Sequence, residues 1–371
     1  MRVLSANFSS GRIHRYLRVA TLLCATLLCA TPTVAVADSK TEREVALWVF
    51  SRDGEVRLYG HVDLLQGTMG LPAEGDEVKV REVRFSGTDL TDDELKNLAA
   101  TEELERLEVS GTQVTSGGLK HVAALTSLRR LGCARTRITD AGLEHLSRLV
   151  VLERLDLTGT PLKGPGLVAL AGLKEMRELR LTGTRVNDDA LAHLSQLSEL
   201  RRLRLEDTAV TEKGLATLGK LTQLEELDLS RCRIGADLSP LAKLGGLRGL
   251  WLAETAVDDD GLKALRRCHK LRWLSLAGTR VTDAGLAAIP GGKMLKLDLR
   301  RTGVSDAGLE RLREFQNLRE LWLGDTEVSD AGLEFLREAT HLQVLHLIGT
   351  KVTAEGVAAL KKDLPQTGIA H

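Results

Sequence analysis

Leu271-Arg272-Trp273-Leu274-Ser275-Leu276-Ala277-Gly278-Thr279-Arg280-Val281-Thr282-Asp283-Ala284-Gly285-Leu286 carries two periodicities in sixteen residues. From Trp273 to Ala277, leucines alternate with variable residues, so a short strand has one apolar face and one face free to vary. Gly278-Thr279 turns the chain. Thr282 then stands where a helix N-cap belongs, with Asp283 in the first helical turn beside the partial positive charge of the helix end. Leu286 and Ile289, three apart, face back toward the strand leucines. Such a unit cannot bury its leucines alone, so copies must stack.

Copies are present. The pattern Leu-x-x-Leu-x-Leu-x-x-Thr-x-Val-Thr-Asp-x-Gly-Leu recurs with its first position at Val80, Leu104, Leu128, Leu152, Met176, Leu200, Leu224, Leu247, Leu271, Met294, Leu318 and Leu342. The spacing is 24 residues and twice 23, giving about twelve repeats. Hydrophobic residues make up 43% of the chain and aromatics only 3%, so the core must be aliphatic. This region resembles the leucine-rich repeat family, and the Thr-Asp-x-Gly-Leu half resembles its bacterial and cysteine-containing subclasses. The resemblance implies an α/β leucine-rich repeat solenoid, a horseshoe with a parallel concave β-sheet and short convex helices. One departure is Thr88, Thr112, Thr136 and Thr160 at the turn where many members carry Asn. A Thr hydroxyl, with one donor and two lone pairs, can do part of that work.

The ends differ from the array. Arg2, Arg12, Arg15 and Arg18 precede an uncharged run from Val19 to Ala30, then Pro32 and Ala35-Val36-Ala37, so residues 1–37 read as an export signal peptide. The alternative is an uncleaved anchor holding the protein to a membrane; with cleavage, the mature chain has no membrane span. Residues 38–79 read as an N-terminal cap and loop: an amphipathic helix over Glu42 to Ser51, a turn at Asp53-Gly54, and a strand over Glu55 to Tyr59. Trp48 is expected to be buried against the first repeat. The array is expected over 80–364, with 365–371 as a C-terminal tail. Leu364-Pro365-Gln366-Thr367-Gly368 spells a sortase sorting motif but lacks the apolar tail such signals need, so it reads as a closing half-repeat.

The chain has 51 basic and 51 acidic residues; removing 1–37 takes four arginines and no acid, leaving a net charge of −4. Mild acidity argues against nucleic acid as a partner. Cys133 takes the place of the second strand leucine, Cys232 of the turn threonine and Cys268 of the last convex leucine, so all three are expected as reduced core thiols. Gly214 to Lys220 has phosphate-loop spacing, but Leu221 stands where a Ser or Thr is required, and Leu215, Leu218 and Leu221 are register positions. His121, His145 and His193 fall at equivalent convex positions too far apart for one ion. Asp140, Asp188, Asp283, Asp306 and Asp330, like the run Asp258-Asp259-Asp260, are read as helix capping rather than as a calcium site. No catalytic set converges, so neither an enzyme nor a cofactor or metal is expected.

The outward strand positions vary most. In the first seven repeats they are charged, and Arg84 with Glu108, Asp156 with Arg180, and Arg204 with Asp228 are expected to pair across strands about 4.8 Å apart. In the last five, Trp251, Trp273 and Trp322 share one face, rimmed by Asp228, Asp298, Arg300 and His346. Clustered exposed tryptophans with polar neighbours have the composition of an interface hot spot, the alternative being that the rings only cover the sheet. These seven residues are the candidate partner-binding site of a non-catalytic, exported, monomeric recognition scaffold for a protein or peptide. Two further readings stay open: a structural cell-envelope component, and a glycan-binding module using the same tryptophans.

Overall fold

The structure is a computed structural model that describes residues 41–371. The export-signal reading of residues 1–37 lies outside them. Strand β1 (Glu55–Leu58) and β2 (Val80–Arg84) are followed by one three-residue strand per repeat: β3 (Arg106–Glu108), β4 (Arg130–Gly132), β5 (Arg154–Asp156), β6 (Glu178–Arg180) and β7 (Arg202–Arg204). The series continues through β8 (Glu226–Asp228), β9 (Gly249–Trp251), β10 (Trp273–Ser275), β11 (Lys296–Asp298), β12 (Glu320–Trp322) and β13 (Val344–His346) to β14 (Gly368–Ala370). All lie in one open sheet in chain order. The α/β leucine-rich repeat solenoid expected from the repeat is the architecture found. Each central leucine stands beside its equivalent, as in Leu107 against Leu131 and Leu250 against Leu274, and all are buried.

The convex side holds one-turn α-helices such as Asp283–Leu286 and Asp330–Leu333, or 3₁₀ segments such as Asp140–Arg148 and Pro165–Gly172. Short helices were the expectation. The 3₁₀ segments arise because a larger rise per residue crosses the convex side with fewer residues. Leu215, Leu218 and Leu221 lie buried in one such crossing, as their register requires.

Two hydrogen-bond ladders run along the array, one within each repeat and one between neighbours. Turn threonines donate back to the second strand residue, as Thr136 Oγ1 does to Cys133 O at 2.7 Å and Thr279 Oγ1 to Leu276 O at 2.6 Å. Cys232 breaks this ladder: its Sγ lies 3.0 Å from Leu205 O in the preceding repeat. The second ladder corrects the reading of the recurrent aspartates. The Asp283 carboxylate accepts Ser305 N–H at 2.7 Å and Ser305 Oγ–H at 2.6 Å, and Asp188, Asp306 and Asp330 bind Thr211, Ser329 and Thr353 in the same way. Asp140 instead accepts the N–H groups of Lys163, Gly164 and Gly166. These acids clasp the next repeat, while Thr282, Ser305 and Ser329 cap their own helices. In the run of three, Asp258 is the cap, Asp259 clasps Thr282, and Asp260 pairs with Lys263.

The N-terminal cap is the helix Glu42–Ser51, started by a capping box between Thr41 and Glu44, followed by β1. Strand β1 runs antiparallel to β2, unlike every other pair, and covers the first repeat's edge. Trp48 is half-buried rather than buried, with its ring 5.2 Å from that of Phe85. At the other end the helix Ala354–Asp363 leads into β14, so residues 368–370 belong to the sheet instead of trailing from it. Thr367 of the sortase-like pentapeptide is buried and donates to Leu342 O at 2.7 Å. Cys133, Cys232 and Cys268 are free and buried. Among the described residues no helix is long and apolar enough to cross a membrane, and no three His, Cys, Asp or Glu side chains group as metal ligands.

Candidate functional site

Strands β8 to β12 carry a broad hollow of about 620 Å³ on the concave face. It is lined by Trp251, Trp273, Trp322, Asp228, Asp298 and Arg300, six of the seven residues singled out in the sequence. Trp251 and Trp273 leave adjacent strands two residues out of step, Trp273 in register with Gly249 and Trp251 with Ser275. Their rings lie 6.3 Å apart at 49°. Gly249 is what lets Trp251 lie down: a Cβ there would be 2.7 Å from the indole. The Arg204 guanidinium covers the same indole at 5.3 Å, a cation–π contact. Trp273 is held with its Nε1 buried and without a hydrogen-bond acceptor.

The two aspartates are not an open rim. Asp228 is 6% exposed, accepting Ser230 N–H at 3.0 Å and lying 3.5 Å from Arg204 Nη1. Asp298 is 8% exposed and bound by Arg300 through Nε at 2.9 Å and Nη2 at 2.7 Å, with Ser275 Oγ at 3.3 Å. These bonds to Asp298 hold the Arg300 pKa above its usual value. Both carboxylates are consumed in orienting arginines, because an acid sunk between neighbouring strands must be paired. His346 stays outside the hollow. It lies over Gly324, where a Cβ would be 3.0 Å from Nδ1, and that nitrogen is buried without a partner.

The actual mouth is made of turn residues that the strand columns do not reveal. Arg231 reaches Glu206 at 3.7 Å and Glu254 at 3.2 Å, and Arg301 reaches over Gly278 to Glu254 at 2.8 Å. Hydrogen bonds from Arg301 and Arg231 hold Glu254 below the usual carboxylate range. Burial, and then the neighbouring Asp228 charge, push Glu206 the other way, making it the poorly compensated acid of the hollow. The signal for the chain Arg231, Glu254 and Arg301 was the charged residue standing where other repeats have the turn glycine, as at Gly278.

The charged half of the sheet pairs only partly as expected. Asp156 with Arg180 and Arg204 with Asp228 each approach to 3.5 Å. Arg84 turns instead to Glu82 on its own strand, because Glu108 lies flat over Gly132, where a side chain would collide with it, and accepts Ser110 N–H at 3.1 Å.

Comparison with known proteins matches the repeat and the fold. Residues 223–244 fit one family model described as leucine-rich repeat, and residues 150–171, 267–289 and 338–361 fit a second of the same description. No curated protein matches the sequence. Among solved structures, an internalin from Listeria monocytogenes is similar, with 20% identity and a TM-score of 0.59 over 80% of this chain and 91% of that one. A leucine-rich repeat protein from Leptospira interrogans has 16% identity and a TM-score of 0.54 over 74% and 80%. A protein described as a TDR receptor has 16% identity and 0.53, with 74% of this chain and 52% of that one covered. At these identities the likeness is one of fold.

Proposed function

Since the chain is a leucine-rich repeat protein, we propose that it is a non-catalytic, exported recognition scaffold that binds a protein or peptide in the tryptophan hollow of its concave sheet. The observation that carries this reading is Trp273. Its ring is only half-buried, its N–H has lost water without gaining an acceptor, and it borders an open hollow with two more tryptophans. A buried donor without a partner costs about 1–3 kcal/mol, so the fold keeps this ring against the hollow at a cost to its own stability. Trp251, seated over Gly249, covered by Arg204 and packed on Trp273, is an aromatic anchor preorganised for contact with a partner.

The test is selection of displayed peptides against the full chain, followed by titration of the enriched peptides against Trp273→Phe and a Trp251→Ala/Trp322→Ala double variant. Truncation of interface anchors costs about 2 kcal/mol or more, so at least a 30-fold loss of affinity is expected at an unchanged melting temperature. Peptide binding that ignores these substitutions refutes the site. Response to a glycan array in place of peptides transfers the hollow to sugars, and a collapse of melting without any ligand lost makes the rings structural. Export is tested separately by sequencing the N-terminus of the mature protein, which should begin at Asp38.

A further inference from the structure

Five to eight strands away from the tryptophans, the concave face carries a second unusual arrangement. Arg106, Arg130 and Arg154 stand in register on β3, β4 and β5, which places three like charges in a row at about 4.8 Å spacing. The outer two are compensated. Glu82 takes Arg106 at 3.4 Å and is itself shared with Arg57 at 3.3 Å and Arg84 at 2.5 Å; Glu178 takes Arg154 at 3.7 Å and is shared with Arg180 and Arg202. Both carboxylates are therefore saturated with cations. Arg130, between them, has no ion pair among the described residues, although Glu108 is on the next strand. That acid is drawn down over Gly132 to the Ser110 amide. Hollows of about 480 and 160 Å³ open on either side of Arg130, both bordered by Gly132 and by the Glu108 side chain that lies over it. Burial and the charges of Arg106 and Arg154 push the Arg130 pKa below the ordinary arginine value, the sign of a cation lacking its counter-charge.

We propose that Arg130, flanked by Arg106 and Arg154, is a binding site for an oxoanion group. Along this row the order of charge is acid, three arginines, acid; an oxoanion seated on the middle guanidinium restores alternation. Guanidinium is suited to it, since its planar fork presents paired N–H donors to two oxygens at once. Glu82 and Glu178 are saturated, and Glu108, the remaining acid beside the row, is held over Gly132 by the Ser110 amide and makes no ion pair with Arg130. The site is independent of the tryptophan hollow and stands or falls without it.

The experiment follows melting of the full chain as sodium sulfate replaces sodium chloride at constant ionic strength, so that screening does not change. A saturable rise is expected for the unaltered protein. Arg130→Gln should raise the half-saturating sulfate concentration at least 10-fold, and Arg311→Gln, an exposed convex arginine, should leave it unchanged. Without sulfate, Arg130→Gln should melt no lower than the parent, because a like-charge contact has been removed. A hexaglutamate peptide that displaces sulfate at lower concentration identifies chain carboxylates as the source of the oxoanion; failure to displace it identifies the free ion. The proposal is overturned if sulfate gives no saturable rise, or if Arg130→Gln responds like the parent.

Discussion

The aspartate clasp makes a prediction whose sign reverses with the background. Gly332 lies in the helix Asp330–Leu333, and a Cβ added there would overlap Asp306 Oδ1 and come within 3.0 Å of Leu309 Cδ1. Gly285, Gly308 and Gly356 stand in the same relation to Asp259, Asp283 and Asp330. The glycine of Thr-Asp-x-Gly-Leu is therefore required less by its own backbone than by the carboxylate of the repeat before it. Gly332→Ala must expel Asp306 from its bonds to Ser329 N–H at 2.7 Å and Oγ–H at 2.6 Å. A hydrogen bond to a charged acceptor contributes about 1.5–3 kcal/mol, and for a half-exposed pair the lower end gives about 3 kcal/mol in total. Against this, alanine is favoured over glycine inside a helix by about 1 kcal/mol. Gly332→Ala should thus cost about 2 kcal/mol in the parent and stabilise by about 1 kcal/mol once Asp306→Ala has emptied the space, a coupling of about 3 kcal/mol. Urea denaturation of the four chains, followed by far-UV circular dichroism, measures it from the midpoints at constant slope. Equal effects of Gly332→Ala in both backgrounds would show that the glycine serves some other purpose and the clasp is incidental.

Two further outcomes follow from the core. Leu205→Ala removes a side chain with no solvent exposure and should cost about 2–5 kcal/mol by the same denaturation assay, the range found for buried leucines. Burial raises the Cys268 thiol from 9.0 to about 11. A folded-state pKa above the unfolded one means that this stability is fully present below pH 9 and is lost as the pH rises toward about 11. The loss amounts to roughly 3 kcal/mol, read as the difference in alkaline unfolding between the parent and Cys268→Ala, since the raised thiols of Cys133 and Cys232 contribute equally to both chains.

What was legible in the sequence was whatever the period alone determines. Once Leu274 and Leu276 are read as inward, Trp273 must point outward, and in-register stacking places Trp251 diagonal to it; both follow from counting. The buried positions of Cys133 and Cys268 follow in the same way. What was not legible depends on which of several nearby partners a long side chain selects. Arg84 could reach Glu82 or Glu108, and the choice was made by Gly132, two strands away, which offered Glu108 a place to lie. Asp298 looked like a rim acid because its column faces out, yet Arg300 two residues later folds back on it. The clasps were missed because Asp283 sits beside a plausible local explanation, the end of its own helix, while its true partner, Ser305, lies in the next repeat. Residues 368–370 were missed as a strand because three residues are too few for a pattern, though the exposed edge of β13 supplies the ladder they complete.

The turn after each strand connects the scaffold to the hollow. All twelve repeats hold one residue there with positive φ, and six use glycine: Gly87, Gly111, Gly159, Gly183, Gly278 and Gly349. The other six, Arg135, Asp207, Arg231, Glu254, Arg301 and Asp325, hold φ of 53–58° with a side chain attached. For most such residues this conformation costs on the order of 1–2 kcal/mol. Glycine would avoid the cost, so these side chains need a compensating role, and at Arg231, Glu254 and Arg301 one is visible. The three bond to one another across the mouth of the tryptophan hollow, with Gly278 between them leaving room for Arg301 to reach Glu254. Exposed ion pairs are weak, so the chain of pairs at best offsets part of the strain. The scaffold gains almost nothing from it. What changes is the edge of the hollow, which acquires alternating charge in fixed positions where glycines would have left bare backbone. Strain of this kind is retained where it shapes a surface, and here it frames the three tryptophans.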